Sequence, residues 1–296
     1  EQEINRFKSD PEKFSSRLIY SLLFPNTRLG MLNTGDVNDL KRITREKIFN
    51  YHKKTHCAKN MILSVCGDIK MEELKRITEK YFGILESGNK PSSISIDVHH
   101  ISKPVITNLP NLEQATLVLG YTSFNANKIE SYAFDLILRV LFAGSSSRIR
   151  YEIREKKALA YAINSNFYYG RNYGIFTIQI GLSKNKINEC FNIIKTELDK
   201  ISSEIIDTDE LTKAFAFIKS SYLFSFENSL SLASFYSNFW CSTGEILPIE
   251  EILSQYERIS KDQIFIQKIA KNIFSNFPAI LVLGSDIPEN TFVLQK

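Results

Sequence analysis

One short pattern occurs twice in this chain, and any fold it adopts must accommodate both copies. Ile43-Thr44-Arg45-Glu46-Lys47-Ile48-Phe49 returns as Ile259-Ser260-Lys261-Asp262-Gln263-Ile264-Phe265, with each position identical or chemically alike. Each copy leads to an apolar run that closes on a turn and an aspartate: Ile62-Leu63-Ser64-Val65-Cys66-Gly67-Asp68-Ile69, then Ile280-Leu281-Val282-Leu283-Gly284-Ser285-Asp286-Ile287. The two separations differ by two residues. A Ser or Thr ahead of an amphipathic stretch caps a helix, and a short apolar run bounded by turn residues reads as a strand. Both halves are therefore expected to end in the same helix, strand and turn, which implies two related domains.

The length of 296 residues allows two apolar cores. Between the copies lies a polar, breaker-rich stretch, Ser87-Gly88-Asn89-Lys90-Pro91-Ser92-Ser93. It places a linker at 89–103, between a first domain over 1–88 and a second over 104–296. At 43% hydrophobic and 24% charged, the chain has enough apolar surface to offset the cost of ordering. Its net charge of +4, with both signs interspersed, argues against a dedicated nucleic-acid surface. No apolar run approaches the roughly 18 to 20 residues of a spanning helix, because Asp135 and Arg139 interrupt the greasiest segment, 129–142. The four cysteines, Cys57, Cys66, Cys190 and Cys241, form no Cys-x-x-Cys pair and are expected to be buried free thiols, which favours a reducing compartment such as the cytoplasm. The opening Glu1-Gln2-Glu3 has neither an initiating Met nor a signal-peptide pattern, so the chain is expected to be a piece of a longer product.

Asp10-Pro11-Glu12 combines an N-cap, a first-turn proline and an acidic first turn, so a helix is expected over 11–23. Ile4 and Phe7, at helical spacing, belong to the end of another. Thr44 caps a third, with Ile48 and Tyr51 on one face; 61–65 reads as a strand and 70–82 as a helix. Past the linker the pattern gives a strand over 114–121, a helix over 129–142, a second helix over 147–157, and a hairpin of 160–169 with 173–182. The last of these alternates Phe176, Ile178 and Ile180 with Thr177 and Gln179, as a strand with one buried face does. A helix over 187–201, further helical segments to about 272 and a final strand over 279–283 complete the chain. The class is α+β, with mostly antiparallel sheets flanked by helices and the first domain incomplete.

His52 and His56 stand four apart, but no carboxylate lies between them and the helix is ending, so they read as solvated histidines. Neither His99-His100 nor Gly144-Ser145-Ser146-Ser147 makes a ligand or phosphate motif. Arg154 ends an amphipathic helix whose Ile149 and Ile153 face the core, and Tyr161 follows seven residues later. An Arg fork suits a peptide carbonyl or carboxylate, and a Tyr hydroxyl can donate to an oxyanion. The plainer reading is a surface Arg balanced by Glu152 and Glu155, and a Tyr packed in the sheet.

Glu3-Ile4, Asp10-Pro11, Leu29-Gly30 with Gly35, Gly67-Asp68, and the run Gly144-x-x-Ser147-Arg148, Arg154-Glu155-Lys156, Leu159-Ala160-Tyr161 occur in that order. Over nearly its whole length the chain thereby resembles the insulinase/pitrilysin family of inverted zinc metallopeptidases, in particular the two-domain branch similar to the mitochondrial processing peptidase. The resemblance implies that Glu3 is the third zinc ligand and that Arg154 and Tyr161 bind substrate across a cleft. It also implies an extended peptide substrate lying along a sheet edge, and a homodimer or a heterodimer with a related subunit. The family's His-x-x-Glu-His, which supplies two ligands and the general base, is absent from these 296 residues. Zinc is accordingly expected for a complete protein and not as a tight ligand of this chain alone. The expected activity is endoproteolysis, the alternative a non-catalytic scaffold or partner subunit.

Overall fold

The structure is a computed structural model. It describes all residues except 91–102, 111, 126–127, 161, 289–290 and 293–296, so most of the expected linker and Tyr161 lie outside the described residues. The order begins with five helices: α1 (Gln2–Lys8), α2 (Pro11–Leu23), α3 (Val37–Arg42), α4 (Arg45–Thr55) and α5 (Met71–Phe82). Strands β1 (Val105–Asn108) and β2 (Ala115–Ser123) precede α6 (Ile129–Phe142) and the short α7 (Arg148–Arg150). The hairpin β3 (Ile163–Tyr169) and β4 (Gly174–Leu182) follows. Then come α8 (Ile187–Ser203), α9 (Thr208–Ser225), α10 (Ser229–Thr243), α11 (Ile249–Ser260), α12 (Gln263–Phe274) and β5 (Ala279–Gly284).

The strands form one mixed sheet in the order β1-β5-β2-β4-β3, antiparallel except for the β1–β5 pair. Its two faces are covered by different parts of the chain. Leu117, Leu119, Phe176, Ile178 and Ile180 face a core shared with the helices that follow the linker. Val118, Ile175, Leu281 and Leu283 face Ile19, Leu22 and Leu23 of α2, from the other side of the linker. The alternation along β4 thus reads correctly for its apolar side, while the polar side is also buried. Gln179 donates to Ser15 Oγ and to the Glu12 carbonyl, both at 2.8 Å. A polar side chain lies beneath a helix at low cost when its hydrogen bonds are met. At Gly120 α2 comes close to the sheet: a Cβ there would lie 2.8 Å from Ile19 Cγ1.

Four expectations need correction. Residues 61–65 form no ladder with any described strand, because a strand exists only where a neighbour takes its N–H and C=O groups, and none of the described residues does so for this run. The repeated pattern is displaced by two residues from the structural equivalence: α4 is capped by Thr44, but α12 is capped by Asp262 rather than Ser260. Counted from the caps, the distances to Ile62 and to Ile280 become equal, which removes the spacing difference. The helix expected over 147–157 is α-helical only through Arg150 and then widens. Of the free thiols, Cys57 and Cys190 are buried, but Cys66 is half-buried and Cys241 exposed. No described helix is long and apolar enough to cross a membrane.

Candidate functional site

The segment carrying Arg154 leaves the end of α6 and returns as β3. Gly144 turns the chain at φ +81°, a left-handed conformation that favours glycine, and Ser147 Oγ donates to its carbonyl at 2.8 Å. After α7 the turns open to a π-type helix over Tyr151–Lys156, an uncommon geometry that is frequent at functional sites. It closes where the Leu159 N–H reaches the Ile153 carbonyl at 2.9 Å, beside Ala158 at φ +46°. Ile149 and Ile153 are buried in the core, as their spacing predicts.

Two arginines tie this segment down. Arg150 donates to the Phe142 carbonyl at 3.2 Å and to the Ile163 carbonyl at 3.1 Å, joining its two ends. Arg148 grips both carboxylate oxygens of Glu210 on α9, with Nε at 2.8 Å from Oε1. Those hydrogen bonds hold the Glu210 carboxyl below the usual glutamate range, against the opposing effect of burial. A carboxyl lowered by folding stabilises the fold above its unfolded pKa, and that contribution is lost as pH falls through the folded value. Below pH 4.5, the ordinary glutamate value, urea midpoints are therefore expected to drop more steeply in the parent than in Glu210→Gln. Parallel profiles would remove this role.

Arg154 itself is partly exposed, with Nε 3.5 Å from Glu155 Oε1. Glu152 pairs with Lys156 at 2.9 Å and Lys157 with Glu189 at 3.2 Å, so charges of both signs line this surface. Tyr161 lies outside the described residues, two positions before β3 begins. Glu3 is exposed on α1, whose Ile4 is buried and whose Phe7 meets Phe14 of α2 edge-on at 5.9 Å. The stacked rings of His52 and His56, 4.0 Å apart, sit exposed at the end of α4. No three His, Cys, Asp or Glu side chains gather as a metal cluster among the described residues. A catalytic zinc takes three protein ligands, so the described residues do not fit the metal by themselves.

Sequence reasoning missed a polar cavity of about 850 Å³ on the helical side of β3. Asp135 lines it and accepts from Tyr256 Oη and from Arg139 Nη2, both at 3.0 Å. Tyr132, Tyr169 and Tyr222 line it as well. Burial first, then the Asp135 charge, raises the Tyr256 phenol well above its usual pKa, and Tyr169 is pushed up to about 12 in the same way. The available signal was the four-residue spacing of Asp135 and Arg139 in an otherwise apolar helix. Arg150 borders this cavity; Glu3 and Arg154 do not.

A family profile described as the Peptidase M16 inactive domain matches residues 42–216, a span that includes Arg154 and Tyr161 but not Glu3. An uncharacterized zinc protease of Rickettsia felis is 28% identical over 287 residues, covering 96% of this chain and 68% of the relative. The uncharacterized zinc protease YmxG of Bacillus subtilis is 23% identical over 283 residues, with the same two shares. Among solved structures, a peptidase M16 inactive domain from Pseudomonas fluorescens superposes with a TM-score of 0.83 at 17% identity, covering 99% of this chain and 68% of that one. A protease from Helicobacter pylori gives 0.79 at 18%, covering 94% and 68%.

Proposed function

The chain belongs to the M16 peptidase family, and we propose that within it these residues hold an extended peptide for a zinc metalloendopeptidase. The observation that carries this reading is the double anchoring of the Gly144 to Ile163 segment, by Arg148 on Glu210 and by Arg150 across the segment's ends. Such anchoring keeps a side chain in place without the substrate having to order it. Arg154 is then the fork that takes a peptide carbonyl or carboxylate, and Tyr161 the hydroxyl that donates to an oxyanion. β3 is the outermost strand of the described sheet and starts immediately beyond, so its margin supports main-chain pairing with an extended peptide. Glu3 is proposed as one ligand of a zinc ion whose other ligands lie outside these residues. The working form is proposed to be a dimer, of this chain or with a related subunit.

The test uses the complete gene product and a fluorogenic peptide library. Arg154→Ala and Tyr161→Phe are each expected to lower kcat/KM on the order of 10²-fold. Arg154→Ala acts chiefly through KM. Unchanged turnover in both variants would end the reading. The alternative reading is a non-catalytic scaffold or partner subunit of the same family. Peptide binding that survives in a product with no chelator-sensitive cleavage would establish it.

A further inference from the structure

Two features of β3 meet at one place. The first is the direction of its main-chain groups. The Gly170 N–H donates to the Tyr173 carbonyl at 2.8 Å and closes the hairpin. Ladder bonds to β4 then fall on every second pair, Tyr168 with Ile175, Asn166 with Thr177 and Asn164 with Gln179. The N–H and C=O groups of Ser165 and Phe167 therefore point away from β4, along the margin of the described sheet. The Ile163 carbonyl points the same way, and Arg150 donates to it at 3.1 Å. Ser165 and Phe167 stand opposite Ile178 and Phe176, which face the helical core, so their side chains lie on that side too.

The second feature is the shape of the tyrosine-lined cavity. Asn164 and Asn166, on the α2 side of β3, line it together with Ser165 and Phe167 on the helical side. A void that touches both faces of one strand passes around that strand's margin. At about 850 Å³ it exceeds one side chain and falls in the size range of ligand pockets.

Its walls define what it takes. Two acidic and two basic side chains line it, so their charges cancel, and each is already engaged. Asp135 holds Tyr256 and Arg139, Glu12 accepts from Asn164 at 2.7 Å, and Arg150 is committed to two carbonyls. The rest of the polar wall includes the phenols of Tyr132, Tyr169, Tyr222 and Tyr256. Burial raises the pKa of all four, so at neutral pH they are uncharged. Tyrosine offers rigid contact area and a hydrogen-bonding tip at small entropic cost. A charged side chain entering here would lose its water and meet only counter-ions that are already engaged.

We propose that this cavity is a side-chain subsite for a peptide strand that pairs antiparallel with β3 at Ser165 and Phe167, and that it selects large uncharged side chains, aromatic above all, at positions i and i+2. The peptide residues opposite Ser165 and Phe167 direct their side chains to the same helical side. The proposal rests on the reading that an extended peptide lies along β3, and specifies what that peptide carries.

Fluorescence polarisation on the 296-residue chain tests it, with short labelled Ser/Thr host peptides that carry two guest residues. Tyrosine, phenylalanine or tryptophan at i and i+2 is expected to bind about 10-fold or more tightly than alanine, and lysine or glutamate less tightly than alanine. The aromatic pair at i and i+1 is expected to lose most of that gain, since neighbours on a strand face opposite sides. Ser165→Trp, which fills the cavity from the strand itself, is expected to bring the aromatic peptide down to the affinity of the alanine peptide. The guest and spacing comparisons need no variant, so misfolding of Ser165→Trp would not blunt the test. Equal affinity across the guests, preference for a charged guest, or an aromatic gain that survives Ser165→Trp would each overturn the subsite and leave main-chain pairing along β3 standing. Binding of none of the peptides would overturn the pairing and the subsite together.

Discussion

Valine at position 120 is expected to unseat α2 from the sheet at a cost of about 3 kcal/mol. The Cβ alone would come within 2.8 Å of Ile19 Cγ1 and 3.0 Å of Leu23 Cδ1, and valine adds two methyl groups beyond it. Ile19 and Leu23 are fully buried and have no room to retreat. The helix cannot slide aside, because Gln179 pins it through Ser15 and the Glu12 carbonyl. Alanine, which adds only the Cβ, is expected to cost about 1 kcal/mol. Urea unfolding reads both values. Ile19→Ala introduced into Gly120→Val is expected to recover part of the loss, a coupling that independent sites do not show. Additive losses, or a valine variant as stable as the parent, would mean that this contact does not hold α2. The test bears on the proposed function because α1, which carries the proposed ligand Glu3, packs on α2.

Asp135→Asn is expected to cost about 2 kcal/mol, although it changes neither shape nor volume appreciably. The carboxylate offers one oxygen to Tyr256 and the other to Arg139. An amide has a single oxygen, so one of the two donors faces an NH₂ group instead. Tyr256 Oη can accept from that NH₂ group, but its own O–H loses an acceptor in a residue only 6% exposed, and Arg139 exchanges a charged partner for a neutral one. Tyr256→Phe removes the competition, and the double variant is accordingly expected to lose less than the two single losses added. Strict additivity, or a loss under about 0.5 kcal/mol for Asp135→Asn, would contradict the arrangement. The same pair of measurements asks whether the tyrosine-lined cavity is kept open by this carboxylate. A well-folded double variant with unchanged peptide binding would separate the cavity from the proposed peptide site.

Local chemistry carried most of the reading of the helices. Asp10-Pro11 marked the start of α2, and the apolar run marked both limits of α6, because capping and amphipathic period act over a few residues. Pairing between distant segments was harder to see. β1 is four residues long and pairs in parallel with β5, near the other end of the chain, so no local pattern announces it. The run at 61–65 is mostly apolar, as β5 is, but has no strand neighbour among the described residues. For the proposed site, the burial of Ile149 and Ile153 was legible because their spacing is local. The widened turn that presents Arg154 was not, since it depends on how Leu159 closes back on Ile153. The cavity was missed because Asp135, Tyr222 and Tyr256 come from three helices far apart in the chain.

Sequence alone determined where the helices begin, which side of β4 is apolar, and that one construction pattern occurs twice. These are properties of backbone dihedrals, side-chain period and capping, all settled within a turn or two of chain. Only the tertiary structure decided that the polar side of β4 is buried beneath α2, and that an Asp and an Arg in a greasy helix serve a distant tyrosine. It also decided that equivalent apolar residues are covered in one half and bare in the other. Burial depends on what is brought alongside, and the residue being buried does not encode its neighbour.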